Sequence, residues 1–508
     1  MSIRLTGMAS GLDTDSMVQE LVKASSTKKE SLEKAKTKLG WKQTAWSDLN
    51  TKIYSFFSKS LSNMRLEGSF KKKSTTVADT SIASVVAGDS AVNGTQSLVV
   101  KKLATAGYLT GGKLEKTDGT AATAATTLSE MSTLSSTDTA KINVKVGTTN
   151  TEISVTGDTK ISEVITQLNN AGVNASFDAT NQRIYVNSKT SGTAGDFTIE
   201  AVSGDTNAPT ALAGLKLTSG SGAIEIDGSD ASITLNGADY TSTNNTFTIN
   251  GLTITAQKES SKDTNGDYIP TNINTSDDID GIYKMVKDFF SEYNKLMIEM
   301  DTLYNATSSK GYEPLTDDEK ESMSDDEITL WEDKIKDALL RRDSTLGTVV
   351  STMKSAMIQS FDVNGKETSL TTFGIETLSY FLAADNEKGA YHIDGNADDT
   401  STAGNKDKLK TAIASNPEQV ASFFSKLASN LYDELNKQMK STAYRTIYKV
   451  YDDKKMQQEY DDYDDKISDQ EEKLTDLEDR YYKQFSAMES AMTKLNSQQS
   501  ALTSMLGG

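Results

Sequence analysis

Catalysis near neutral pH draws chiefly on histidine, cysteine and paired carboxylates, and this sequence is almost empty of the first two. His392 is the single histidine among 508 residues, and there is no cysteine. It lies in Tyr391-His392-Ile393-Asp394, an alternating run that reads as a strand at the surface. With no second histidine and no cysteine, a Ser-His-Asp relay or a zinc site around it is not the expected reading; a surface strand residue is. Gly107 to Lys113 has the spacing of a phosphate-binding loop, but Leu114 stands where a hydroxyl must reach magnesium, so these glycines read as turns. Asp263, Asn265 and Asp267 echo a calcium loop. There the glycine is Gly266 rather than the residue after the third ligand, and Asn274 replaces the closing bidentate glutamate, which leaves an exposed hairpin tip. The runs Asp461-Asp462 and Asp464-Asp465 read as the solvated face of a helix. The expectation is a protein that is not an enzyme and needs no cofactor and no metal.

With chemistry set aside, the weight falls on the elements. A chain of 508 residues exceeds what one hydrophobic core organises, so at least three folded units are expected. A hydrophobic fraction of 36% suits elongated modules with much wetted surface. The absence of cysteine suits a chain that crosses an export channel unfolded, and it equally suits a cysteine-poor proteome. Met1 to Leu12 lack a charged leader followed by an apolar run, and no stretch approaches the ~18 apolar residues of a membrane span. A soluble protein is expected, leaving the cell, if it does, by a route that reads no cleavable signal peptide. A net charge of -19 argues against nucleic acid as a partner. The charge is uneven: residues 1–78 carry 14 basic and 7 acidic side chains, whereas residues 451–508 carry 7 basic and 14 acidic. Ends of opposite sign attract, within one chain or between neighbours.

Both ends read as long helices. From Lys454 to Met505 there is neither proline nor glycine, and Tyr460, Ile467, Leu474, Tyr481, Met488, Leu495 and Leu502 recur seven apart. The second row of that seam is Met456, Tyr463, Gln470, Leu477, Gln484, Ala491, Gln498 and Met505. Its three glutamines have two readings: polar core residues that fix register, or residues at the edge of a seam widened by Phe485 and Met492. Near the other end Leu32, Leu39, Trp46 and Ile53 form a heptad row, with Ala35, Leu49 and Phe56 beside it. An amphipathic helix cannot bury its stripe alone, and the acidic C-terminal helix is the expected partner. The last apolar residues, Leu502, Met505 and Leu506, are expected to pack against other subunits.

Between about 75 and 275 the sequence turns to short Thr-, Val- and Ile-rich strands. Asn250-Gly251 and Asn236-Gly237 stand at two-residue hairpin turns, because both central positions need positive φ. A helix from Ile161 to Asn170 among strands at Ile142 to Val146, Glu152 to Val155 and Arg183 to Val186 makes a small α+β module, and Gly111 to Thr139 reads as a long surface loop with little core of its own. Helical period returns after Asp277, with Ile282, Met285, Val286, Phe289, Tyr293, Leu296 and Met300 on one face, and further helices fit Asp326 to Arg341, Ser344 to Gln359 and Pro417 to Met439. The fold class is therefore α+β multidomain, with a terminal α-helical coiled coil and helical bundle enclosing an inserted β-rich head of two small domains. The expected division is an N-terminal leg helix at 1–45, the first part of a helical stalk at 46–105, an α+β head domain at 106–207, a β-rich head domain at 208–275, the second part of the stalk at 276–440 and a C-terminal leg helix at 441–508.

Three segments resemble the flagellar hook-associated protein 2 family of filament-capping proteins. The first is Ser10-Gly11-Leu12-Asp13-Thr14-Asp15 with Met17-Val18 and Leu21-Val22, then Trp41-Lys42-Gln43 and Leu49-Asn50-Thr51. The second is Tyr293-Asn294-Lys295-Leu296, then Pro314 to Lys320, Trp331-Glu332 and Leu339-Leu340-Arg341. The third runs from Tyr481 to Phe485, through Met488-Glu489, to Leu495 to Ser500. The resemblance implies a self-assembling oligomer secreted through the flagellar export apparatus to the distal tip of the bacterial flagellum. There its β domains form a plate, its terminal helices form legs, and it promotes folding and insertion of flagellin without chemistry. It further implies contact with hook-filament junction proteins, and a cytosolic export chaperone on the C-terminal helix before secretion. The competing class is a surface adhesin or binding module that uses the β-rich head for cell adhesion.

Overall fold

The computed structural model describes residues 11–379, 381 and 383–505. The chain divides into two compact units, one of residues 1–70 with 279–508, the other of residues 71–278.

The first unit is mainly helical. Asp13 caps the first helix, Thr14–Ala24, by accepting from the Ser16 amide at 3.1 Å, and the second helix, Thr27–Phe56, follows after a two-residue turn. Ile279–Tyr304, Ser344–Met357 and Pro417–Gln438 supply the other walls of the core. Asn416 accepts from the Gln419 amide at 3.2 Å, and Pro417 occupies the first turn, where a missing N–H costs nothing. Trp46, Leu49, Ile53 and Phe56 share one core with Ile282, Val286, Phe289, Tyr293, Phe423 and Phe424. A π-turn at Phe57–Leu61 widens the helix so that two consecutive aromatics both point inward. Phe56 meets Phe289 with centroids 5.5 Å apart, and Phe57 stacks on Tyr432 at 4.2 Å. Tyr293 is fully buried, and desolvation raises its phenol well above the usual value.

The second unit is built from antiparallel sheet around two hydrophobic clusters. In one cluster a five-stranded sheet runs in the order 73–77, 271–277, 94–102, 231–235, 238–242. Its core, with Leu98, Val100, Ile233 and Ile273, is closed by a three-stranded sheet of 246–249, 252–256 and 83–87. The other cluster gathers the helix Ile161–Asn170, the helix Ala208–Gly214 and two further sheets around Ile142, Val144, Val155, Leu168, Ile184 and Leu212. Both expected hairpins are present. Ile249 pairs with Leu252 across Asn250-Gly251, at φ +48 and +78, and Leu235 pairs with Ala238 across Asn236-Gly237, at +51 and +85.

Three expectations need correction. The stretch Gly111 to Thr139 is irregular but not a loose loop, since Leu114, Leu128 and Leu134 are buried in the second cluster. It is held by Leu114 N–H donating to Gln182 O at 2.7 Å, Thr117 N–H to Glu130 O at 2.8 Å, and a capping box between Thr127 and Glu130. Its apolar residues follow neither helical nor strand period, so no periodicity test detects them. His392 does lie on a strand, Tyr391–Ile393, but is half-buried, and its Nδ1 sits 2.6 Å from Asp399 Oδ2. The expected helix over Asp326 to Arg341 spans Asp325–Lys336; the chain then turns until Arg342, at φ +53, donates its N–H to Tyr304 O at 3.0 Å.

The insertion begins and ends on neighbouring strands. Lys73–Val77 pairs with Thr271–Asp277, and Asp278 N–H donates to Lys72 O at 2.9 Å. With its ends joined side by side and its own cores, a chain cut to residues 71–278 is expected to fold alone. Circular dichroism should show antiparallel sheet and cooperative melting; a random-coil spectrum for the soluble fragment would sink this.

Candidate functional site

The terminal helices are where sequence pattern and charge converge. Both N-terminal helices run along the C-terminal helix Asp453–Met505. The pairing is antiparallel: a Cβ on Gly40 would lie 3.3 Å from the Tyr460 ring, Lys36 bonds Asp464, and Lys29 bonds Glu471 at 2.9 Å. Each step back along one helix is a step forward along the other. Gly40, a poor helix former in mid-helix, leaves a notch that the Tyr460 ring fills, with the Lys36 ammonium 4.7 Å from the ring centroid. Donating hydrogen bonds to Glu471 and Asp464 holds the ammonium groups of Lys29 and Lys36 above the usual lysine value. Exposed pairs of this kind contribute about 0.2–1 kcal/mol each, so they set register while the apolar stripe carries more of the association.

The residues singled out as an interface fall into three groups. Trp46, Leu49, Ile53 and Phe56 are buried in the globular core rather than along the coil. Leu32, Leu39, Tyr460, Ile467, Leu474, Leu477, Tyr481 and Met488 are half-buried, as a stripe covered on one side is. Leu495 and Leu502 are 64% and 61% exposed. Met505 ends the helix, and Leu506 lies outside the described residues. Gln484 and Gln498 are exposed while Phe485 and Met492 are half-buried, which places those two glutamines at the edge of the seam; Gln470 is half-buried.

Two features were missed in the sequence. One is the base of the coil. Asn50, buried on the N-terminal helix, donates to Tyr448 O at 3.2 Å and accepts from Val450 N–H at 2.9 Å, and Trp46 stacks on Tyr451 at 5.3 Å. Arg445 braces the same connection by donating to Asp452 Oδ1 at 2.8 and 3.0 Å. The other is an acidic arm over residues 316–343, which supplies Asp318 to Lys23 at 2.6 Å, Glu319 to Lys34 at 2.8 Å and Asp343 to Lys42 at 2.8 Å. Lys336 also lies 4.8 Å from the Trp41 ring centroid. The basic N-terminal helix is therefore neutralised from two sides, not by the C-terminal helix alone. The run Thr316-Asp317-Asp318-Glu319, a capping box loaded with acid, was the available signal.

Comparison with known proteins gives consistent matches over nearly the whole chain. The family model for the C-terminus of flagellar hook-associated protein 2 matches residues 228–497, and that for its N-terminus matches residues 10–107. Flagellar hook-associated protein 2 of Halalkalibacterium halodurans is 24% identical over 559 residues, an alignment that takes in 98% of this chain and 99% of the relative. The D1-D2-D3 domains of the flagellar cap protein FliD from Escherichia coli share the fold with a TM-score of 0.52 at 19% identity, over 77% of this chain and 95% of that one.

Gly40→Leu forces a side chain into the space of the Tyr460 ring, an overpacking of about 1–3 kcal/mol. It should raise protease cleavage of the C-terminal helix while the melting of the core below it holds. In titration, the contribution of Lys29 and Lys36 is complete below the ordinary lysine value of about 10.4 and is lost as pH rises through their elevated folded values. Helix protection should therefore fall in strong alkali, and protection that is flat there would contradict the ion-pair register.

Proposed function

The chain belongs to the flagellar hook-associated protein 2 family, and from that membership we propose that it is the cap at the distal tip of the flagellar filament. In that role it assembles with copies of itself and promotes folding and insertion of exported flagellin. The observation that carries this reading is the terminal coil: an antiparallel pair with opposite charge on its strands, whose C-terminal helix continues with Leu495 and Leu502 exposed. Large aliphatic side chains at heptad positions on a solvated helix are suited to a helical partner. Flagellin helices and neighbouring cap subunits meet that need in the assembled filament. A cytosolic export chaperone meets it before secretion, and hook-filament junction proteins are the further contacts of the same assembly.

The role is structural rather than catalytic. Its support is the state of the one histidine, since Nδ1 is held by Asp399 and Nε2 is buried without a hydrogen-bond partner among the described residues. Neither nitrogen is placed to exchange a proton with a substrate. Among the described residues no helix is long and apolar enough to cross a membrane, in keeping with a protein carried through the export channel.

Replacing Leu502, Met505 and Leu506 together by glutamine tests the reading. Leu502 is exposed, and a substitution at such a position changes monomer stability by no more than about 0.5 kcal/mol, so the fold should survive. Filament growth should stop while the sheet signal of residues 71–278 is retained; undiminished growth would overturn the mechanism.

A further inference from the structure

Asn-Gly is both a hairpin signal and a chemically labile bond. The chain has five such pairs, at Asn93, Asn236, Asn250, Asn265 and Asn364. In the labile reaction the glycine nitrogen attacks the asparagine Cγ, and glycine leaves that approach unhindered. The side-chain amide must swing onto the following nitrogen, and that N–H must give up its proton. A hydrogen bond on either group opposes the reaction.

Four of the five are tied. Asn93 accepts from Lys73 Nζ at 3.0 Å and donates to Asp277 at 3.1 Å. Asn236 Oδ1 accepts from the Ser97 amide at 2.9 Å. Gly266 N–H donates to Asp263 O at 3.1 Å, and Gly365 N–H donates to the Asp362 carboxylate at 3.1 Å. Asn250 differs. It is exposed, and among the described residues neither its side-chain amide nor the Gly251 N–H has a partner.

We propose that Asn250 is the site at which the folded protein deamidates spontaneously, with water as the only co-reactant. The Gly251 nitrogen bonds to Asn250 Cγ as the Cγ–Nδ2 bond breaks, and ammonia leaves carrying the Gly251 amide proton. Water then opens the cyclic imide at one carbonyl or the other, giving aspartate or isoaspartate. Either product adds a negative charge, and isoaspartate lengthens the backbone by a methylene. The backbone just past that insertion is pinned: Gly251 O accepts from Gly88 N–H at 2.7 Å, and Gly251 packs so closely that a Cβ there would fall 2.6 Å from Ala91 N. Isoaspartate at this turn therefore breaks the contact with Gly88, beside the strand Ala83–Ala87.

The full chain, aged while folded in mildly alkaline heavy-oxygen water and then digested, shows by tandem mass spectrometry where label enters. Asn250 should convert several-fold faster than each of the other four, and in urea the five rates should converge. Equal rates in the folded chain, or no label at Asn250, would overturn the proposal. Asn250→Gln should abolish label at that position and leave the other four rates unchanged. Should that variant not fold, the folded and unfolded rates of the unaltered chain decide alone.

Discussion

The helix Thr27–Phe56 cannot satisfy its apolar side chains in one environment, and the arrangement of the terminal region depends on that. From Trp46 onward it is a wall of a closed core, packed against Phe289 and Tyr293 through large, fully desolvated side chains. Before Gly40 it is one strand of a coil whose stripe is only half covered. The core end anchors the helix, so the coil can be modest in its own stability and still hold a fixed direction. Asn50 and Trp46 sit at the changeover and hold the connection to the C-terminal helix, which starts that helix at a defined place. Register is then set by the Gly40 notch and the charges on either side of it.

The charge pattern follows the same division of labour. Surface ion pairs are individually weak and are screened by salt, with a Debye length of about 8 Å at physiological ionic strength. What they supply is choice among alignments that apolar side chains alone would tolerate. The acidic arm over residues 316–343 adds a second line of such choices along the N-terminal helix.

Periodic features were legible in the sequence and aperiodic ones were not. The helix that carries the heptads from Tyr460 to Leu502, the helix at Ile161–Asn170 and the two Asn-Gly hairpins each rest on local rules, and each appears where those rules place it. The burial of Leu114, Leu128 and Leu134 rests on contacts with distant strands, so Thr- and Ser-rich surroundings hid it. In the candidate site, the heptad rule found the stripe but could not tell where coil ends and core begins, because Trp46 and Leu49 obey the same spacing in both. The acidic arm was invisible as a partner because its charges read locally as helix caps, which they also are.

Because Lys72 and Asp278 leave the inserted unit hydrogen-bonded to each other, the helical unit sees that insertion as a single short bridge between two of its own segments. Whatever lies beyond the bridge can be longer, shorter or differently folded without altering the distance the helical unit must span. The inserted unit can therefore be remodelled in length and sequence while the helical unit answers to its own, separate packing constraints.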